Sequence, residues 1–361
     1  MTARGDQSVC VAAIVPCPPA RSLEAEWRAL EARAAPSLFL SWAWIGAQVA
    51  AFGTPGWLAR VTRGGAVVGL ALLGHRKGGW TRDGWKSGWR GASLHLNETG
   101  DPDHDGVMIE YNGLLVHESD DEAATAALIG ALLSHKRPRW RSLHLSGVPE
   151  EWAERCRAQG LATRLLRVPQ AAPFTDFAAL PPGDILDALS SNSRQRIRRS
   201  LRWFERRGPL TLDRAANVGE ALDWLAALER LHSASWQAKN KPGAFANPSF
   251  GLFHRRLIEQ SFADGIPDLL RVRAGSQTVG YLYNLLWRGW ACAYQSGLVY
   301  EEDADCRPGL VAHLLAMRRC RAEGMAGYRF LAGDSRYKAS FATGQDTLLW
   351  MTARRPGWFT I

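Results

Sequence analysis

Lysine is scarce in this 361-residue sequence, cysteines are few and scattered, and long apolar runs are missing. Each shortage excludes something. Six cysteines (Cys10, Cys17, Cys156, Cys292, Cys306 and Cys320) lie far apart with no CxxC pair, which indicates neither a zinc site nor a dense disulfide framework and reads as a reduced, cytoplasmic chain. No apolar run approaches the roughly 20 residues that span a bilayer. The most apolar N-terminal stretch, Val9 to Val15, is short, contains Cys10 and follows Arg4 and Asp6, a poor signal peptide. Only six of 44 basic residues are lysines, so the formal charge of +9 is carried by arginine; it points to anionic ligands without identifying one. Apolar residues at 46% and charged residues at 22% exclude wholesale disorder and a coiled-coil rod.

The length favours two domains of about 150 residues or more. Tryptophan is the abundant residue: 16 of 361, against a usual frequency of about one per cent, enough to place some rings in a site. A strand at Val9–Val15 precedes helical patterns from Ser22 to Arg33 and from Ser41 to Phe52. Trp57–Val61 and Ala66–Leu73 then flank the turn Arg63-Gly64-Gly65 as a hairpin. Short strands are expected at Leu94–Leu96, Val107–Ile109 and Leu114–Val116, followed by a helix at Asp121–Leu133 and a strand at Ser142–Leu145. The second half repeats this order. Helices at Ala216–Ser235 and Pro248–Phe262 precede strands at Leu269–Arg273, Thr278–Leu286 and Trp290–Gln295, a helix opened by Pro308, and a strand at Tyr328–Leu331. The doubled order predicts a structural duplication, with the Pro- and Ala-rich Val168–Gly183 as connector.

Five motifs in the second half occur in a telling order: Ser191-Asn192-Ser193-Arg194-Gln195-Arg196-Ile197-Arg198-Arg199, Leu231-His232-Ser233-Ala234-Ser235-Trp236, Tyr294-Gln295-Ser296-Gly297, Arg307-Pro308-Gly309-Leu310, and Phe330-Leu331-Ala332-Gly333-Asp334-Ser335-Arg336-Tyr337-Lys338. Together they resemble the landmarks of the CelD/BcsL-like family of GNAT acyltransferases over roughly residues 180 to 345, and they are similar to the FemAB aminoacyl-transferases, which pair two GNAT-like domains in one chain. The resemblance implies an α/β protein with tandem, duplicated GNAT-like domains and mixed central sheets: residues 1–170 as a degenerate copy, 171–361 as the copy with the acyl-CoA site. It implies an N-acyltransferase whose donor is acetyl-CoA or a longer acyl-CoA, or a thioester on an acyl carrier protein. The acceptor would be a primary amine of a small molecule, sugar or peptide, and no metal would take part. Arg307, Pro308, Gly309 and Leu310 shorten the family's usual pyrophosphate loop. They still precede a helix N-terminus, whose unpaired N–H groups and about half a positive charge suit a diphosphate.

Amide formation from a thioester needs an amine near the carbonyl, a route for its proton, and donors facing the oxyanion. Asp334, Tyr337 and Lys338 follow the last strand on its carboxyl side. Asp334 is the candidate proton acceptor, Tyr337 the candidate donor to the departing thiolate, and Lys338 a candidate for binding phosphate or polarising the carbonyl. His232, an alternative base, and Trp236 are four apart on one helix face, where they would line the acceptor cavity. Tyr294 and Gln295 alternate along a strand, so one of them faces the site. Asn284 and Glu98 are further substrate-binding candidates, Glu98 on an acidic loop lining an amine-binding cleft.

Other features have competing readings. The arginines at 194, 196, 198, 199, 202, 206 and 207 share a helix with Ile197, Leu201 and Phe204, giving an apolar seam and a cationic face. That face fits a solvated surface, the phosphates of CoA, a tRNA-linked donor, or a noncatalytic nucleic-acid or anion-binding module on helix 194–207, with nucleic acid the less favoured partner. Asp101-Pro102-Asp103-His104-Asp105-Gly106 begins like a calcium loop, but Asn112 stands where a bidentate Glu is required. Trp80, Trp85 and Trp89 suggest an aromatic wall or a satellite core.

Overall fold

Capped helices and mostly antiparallel strands divide by their contacts into two units, residues 1–169 with 347–361 and residues 170–346. The structure, a computed structural model, describes residues 9–83, 86–135, 137–333 and 336–355, without the side chains of 79–83, 86–90 and 336.

The first unit opens with β1 (Cys10–Pro16), α1 (Ala20–Glu31) and α2 (Trp42–Phe52). α2 starts where Ser41 Oγ accepts the Trp44 N–H, a side-chain cap for one orphan donor. β2 (Trp57–Arg63) and β3 (Ala66–Arg76) form the expected hairpin, followed by the ribbon β4 (Gly79–Asp83) and β5 (Lys86–Arg90). β6 (Ser93–Leu96), β7 (Leu115–Val116), α3 (Asp121–Ser134), β8 (Ser142–Pro149), α4 (Glu151–Ala158) and β9 (Ala162–Leu165) complete this stretch. The strand expected at Val107–Ile109 is instead a 3-10 turn at Asp105–Val107, because Met108 and Tyr111 adopt positive φ and break any extended run.

The second unit begins with β10 (Gln170–Asp176), inside the segment expected to be a connector; it pairs antiparallel with a strand 150 residues away. Next come α5 (Ser191–Glu205), β11 (Leu210–Arg214), α6 (Val218–Gln237), α7 (Pro248–Ser261), β12 (Pro267–Ala274), β13 (Gln277–Trp287), β14 (Trp290–Leu298), α8 (Pro308–Ala322), β15 (Gly327–Arg329) and α9 (Arg336–Phe341). The chain closes with β16 (Gly344–Arg354). Asn217 and Asn247 cap α6 and α7 by accepting the N–H groups of Glu220 and Ser249.

The strands of each unit run in the same order. In the first unit the path is β1-β2-β3-β6-β8-β16, and in the second β11-β12-β13-β14-β15-β10. Each contains one parallel neighbour pair, β6 with β8 and β14 with β15. The sixth strand breaks the simple division of the chain at 170. Thr347–Ile361 belongs to the first unit rather than to the second domain, because β16 pairs with β8 and β9.

Side chains alternate across the second sheet. On β13, Leu282 enters the core under α5 and α8 with Ile197, Leu314 and Met317, while Tyr283 faces α7 through His254. α6 approaches β14 so closely that a Cβ at Gly297 would stand 2.3 Å from the Leu228 carbonyl oxygen.

Candidate active site

β14 and β15 pair in parallel only over Trp290–Cys292 and Gly327–Arg329. Beyond that register β14 stays with β13, whereas the chain after β15 turns to β10: Phe330 N–H donates to Pro173 O, and Leu331 takes φ +59°. Parallel strands that separate at their carboxyl ends open a notch through the sheet, the usual place for ligands in such folds. A bulge sits beside it, since Tyr283 pairs with Gln295 and Asn284 with Ala293, skipping Tyr294.

α8 begins on one side of this sheet. Pro308 occupies its first turn, and the N-cap residue Arg307 makes no side-chain cap; its Nε donates to Ala304 O. The positive end of the helix therefore has no side-chain cap. Pro308 and Leu310 are buried, Gly309 half-buried and Arg307 exposed. The arginine-rich helix is fastened to this turn. Ser200 Oγ of α5 donates to Arg307 O at 3.3 Å and accepts from Arg307 N–H at 3.2 Å. The seam of α5 is Ile197, Ser200, Trp203 and Phe204, with Leu201 half-buried at its edge, and Arg198, Arg199, Arg202 and Arg206 remain exposed. Arg207 is committed to Glu301 through two hydrogen bonds.

On the opposite face, α6 and α7 build an aromatic wall. His232 is 5% exposed, lies 5.7 Å from Trp236 and 5.2 Å from Phe245, and connects through Phe245 and Phe250 to Tyr294. Trp236 forms the exposed rim and Lys239 lies over its ring. Burial, with Lys239 adding to it, holds the His232 imidazole at about 4, so the ring is neutral near pH 7. Its Nδ1 is buried without a hydrogen-bond partner among the described residues. Gly243 closes over this ring, where a Cβ would stand 2.6 Å from His232 Cε1. The structure thus brings His232, Trp236 and Tyr294 into one wall; Gln295, their strand neighbour, is half-buried.

Tyr337 belongs to the α8 face. It stacks on His313 at 5.2 Å, and burial raises its phenol well above the ordinary value, which keeps the proton on. Lys338 Nζ donates to Leu331 O and Ala332 O at 3.2 and 3.0 Å, stapling the turn after β15. Asn284 is likewise engaged within the protein. It is fully buried, donating to Asp268 at 3.5 Å and accepting from Tyr328 Oη–H at 3.3 Å. Asp268 accepts two hydrogen bonds from Arg319 and pairs with Arg214; Tyr328 also bonds His313 Nδ1 at 2.9 Å. This network of Asp268, Arg319, Tyr328 and His313 escaped sequence reasoning, since its members are spread over three elements and no spacing links them. Asp334 lies outside the described residues.

Glu98 is in the first unit, 5% exposed, in a cluster with His95 and Asp105. Asp105 is turned to the N–H groups of Thr99 and Gly100, and Asn112 accepts from Asn97, so residues 101–112 are not arranged as a calcium loop. Trp85 and the side chains of Trp80 and Trp89 lie outside the described residues. None of the six cysteines forms a disulfide; Cys292 and Cys306 are buried, and burial raises the Cys306 thiol, which opposes a nucleophilic role.

A six-stranded sheet with one parallel pair, notched where that pair separates and with a bare helix N-terminus on one face, defines the class of acyl-transferring α/β domains. Residues 191–339 match the family model described as acetyltransferase (GNAT) domain. No curated protein matches the chain. Among solved structures it is similar to FemX (TM-score 0.59, 12% identity, covering 94% of this chain and 96% of that one). It is also similar to L-PGS from Bacillus licheniformis (TM-score 0.53, 10% identity, 92% and 91% covered). A conserved protein of unknown function from Bacteroides thetaiotaomicron matches with TM-score 0.52 and 10% identity, with 92% of this chain and 97% of that one covered. The chain has a duplicated GNAT-like fold, and its second unit is a GNAT acyltransferase domain.

Proposed function

We propose that the second unit transfers an acyl group from acyl-CoA, or from a carrier-protein thioester, to a primary amine through the notch between β14 and β15. The observation that carries this reading is the separation of functions across the sheet: the bare α8 N-terminus lies on one face, the His232 wall on the other, and the strands part between them. The donor diphosphate would rest on the Gly309 and Leu310 end of α8 beside Arg307, with the exposed arginines of α5 adding charge. The amine would enter past Trp236, Tyr294 and Gln295. The ammonium first gives one proton to Asp334; its nitrogen then bonds to the thioester carbonyl carbon while the C–S bond breaks, His232 accepts a hydrogen bond from the N–H that remains in the amide, and the second proton lost from nitrogen restores Tyr337 as Tyr337 protonates the leaving thiolate. Lys338 holds the Leu331–Ala332 backbone that precedes Asp334 in the sequence.

A primary amine is mostly protonated at neutral pH, so a carboxylate that first pairs with the ammonium suits the chemistry better than a neutral imidazole. The test is release of free CoA thiol from a series of acyl-CoAs by the full chain, with a panel of amines. Thiol release that needs both partners supports the reading. The exposed arginines on α5 favour one rival, a FemAB-like transfer from aminoacyl-tRNA, which would give product with no CoA thiol and would overturn it. Stabilisation by oligonucleotides alone, fading steeply with salt, would instead indicate a nucleic-acid-binding module.

A further inference from the structure

The first unit repeats the parallel pair but fills its end with ionisable side chains. β6 and β8 pair over Ser93–Ser142, Leu94–Leu143 and His95–His144, and the chain then leaves β6 through Asn97 at φ +52°. His95 stacks on His144 at 4.3 Å. His95 Nδ1 stands 3.4 Å from Asp105 Oδ2, and its Nε2 is 2.9 Å from Ser93 Oγ. Glu98 Oε2 accepts from Ser146 Oγ–H at 2.9 Å. One ligand atom from each of His95, Glu98 and Asp105 lies within 4.8 Å of the other two.

The cluster is held in place rather than loosely gathered. Asp105 Oδ1 accepts the Thr99 N–H and Oγ1–H, and Oδ2 accepts the Gly100 N–H. Asn97, fully buried, accepts from Leu72 N–H and donates to Asn112 Oδ1 and Gly113 O, which fixes the backbone leading into Glu98. Glu98 and Asp105 are both largely removed from water, and among the described residues neither forms an ion pair with an arginine or lysine. Two carboxylates side by side without a cationic side chain are costly unless a cation or a proton joins them.

We propose that His95 Nδ1, Glu98 and Asp105 bind one divalent transition-metal ion of the Zn2+ or Mn2+ type, independently of the transfer reaction in the second unit. Two carboxylates and a neutral imidazole balance a charge of +2. The Nε2–H donating to Ser93 Oγ leaves the Nδ1 lone pair for the metal, the usual outer support of a ligating histidine. A nitrogen donor in a three-ligand set favours a transition metal over Ca2+, which takes six to eight oxygens. Bonds of about 2.0–2.2 Å separate opposite ligands by at most about 4.4 Å, so the side chains close by a few tenths of an ångström on loading.

The experiment uses the full chain stripped with chelator, titrated calorimetrically with Zn2+ and with Mn2+, and with Co2+ followed by visible absorption. One equivalent is expected to bind, raising the melting temperature and giving a Co2+ band that saturates at one equivalent. Glu98→Gln and Asp105→Asn are expected to lose binding at least tenfold. Ser93→Ala keeps all three ligands and should bind about ten- to a hundredfold more weakly, which covers the case in which a ligand variant does not fold. Absence of any metal-dependent rise in the melting temperature of the wild type, or an equal rise in the variants, overturns the proposal and assigns the cluster to a shared proton.

Discussion

An imidazole held at about 4 is uncharged at pH 7 and accepts hydrogen bonds, but unlike a carboxylate it carries no negative charge to hold an ammonium. At the scale of single residues this separates His232 from Asp334. Asp334→Asn is expected to lower turnover by about two orders of magnitude, the scale of a lost general base, with donor affinity nearly unchanged. His232→Ala is expected to raise the KM for the amine while changing kcat by less than about tenfold. Steady-state kinetics of both variants decide: full activity in Asp334→Asn with none in His232→Ala would put the base on α6. A second variant tests the wall itself. Gly243→Ala places a methyl 2.6 Å from His232 Cε1, backed by Trp236 Cδ1 at 3.2 Å. Overpacking of that kind costs about 1–3 kcal/mol, so the melting temperature should fall and the amine KM rise together.

Between elements, the ties that matter are few and polar. Ser200 joins α5 to the turn before α8 with two hydrogen bonds to Arg307. Ser200→Ala should cost about 1–2 kcal/mol and weaken CoA binding several-fold, read by chemical denaturation and by calorimetry, because the helix N-terminus loses its backing. Asp268 ties β12 to β11 and α8 through Arg214 and Arg319. Asp268→Ala leaves the largely buried Arg319 without its main partner and is expected to cost about 3–5 kcal/mol, measured in the same way. Elements with strong local signals were legible: Pro308 and the apolar spacing of α8, the Ser41 cap of α2, the hairpin at Gly64-Gly65. β10 and β16 were not, because a strand is defined by its partner, and theirs lie about 150 and 200 residues away. Pro173 and the alanines of β10 read as a linker for the same reason. In the site, a four-residue helical spacing disclosed His232 with Trp236. The burial of Asn284 and the stapling role of Lys338 depend on cross-sheet neighbours that no spacing encodes.

Over the described residues, four buried histidines and the half-buried His144 set the response to acid. Burial lowers His95, His254 and His313 to about 3 and His144 and His232 to about 4, against an unperturbed value of about 6.5. Each is neutral in the folded chain but takes up a proton on unfolding below pH 6.5. The unfolded state therefore binds more protons between about pH 6.5 and pH 4, and stability rises with pH across that window. The contribution is complete above pH 6.5 and is lost as pH falls through the folded values. In the first unit Glu98 works the other way, since its raised pKa favours the folded state as pH drops. Among its described residues, the second unit, with His232, His254 and His313, has no such counterweight on its histidines. Each contributes up to about 1.4 kcal/mol per pH unit within the window. In chelator-treated protein at constant ionic strength, the stability of the second unit should therefore fall steeply from pH 6.5 to pH 4.5. His313→Gln should reduce that slope by about one proton, although it also disturbs the bond to Tyr328 and so lowers stability at pH 7. An unchanged slope in this variant, or a stability that is flat with pH, would mean that the histidines are already charged in the folded chain.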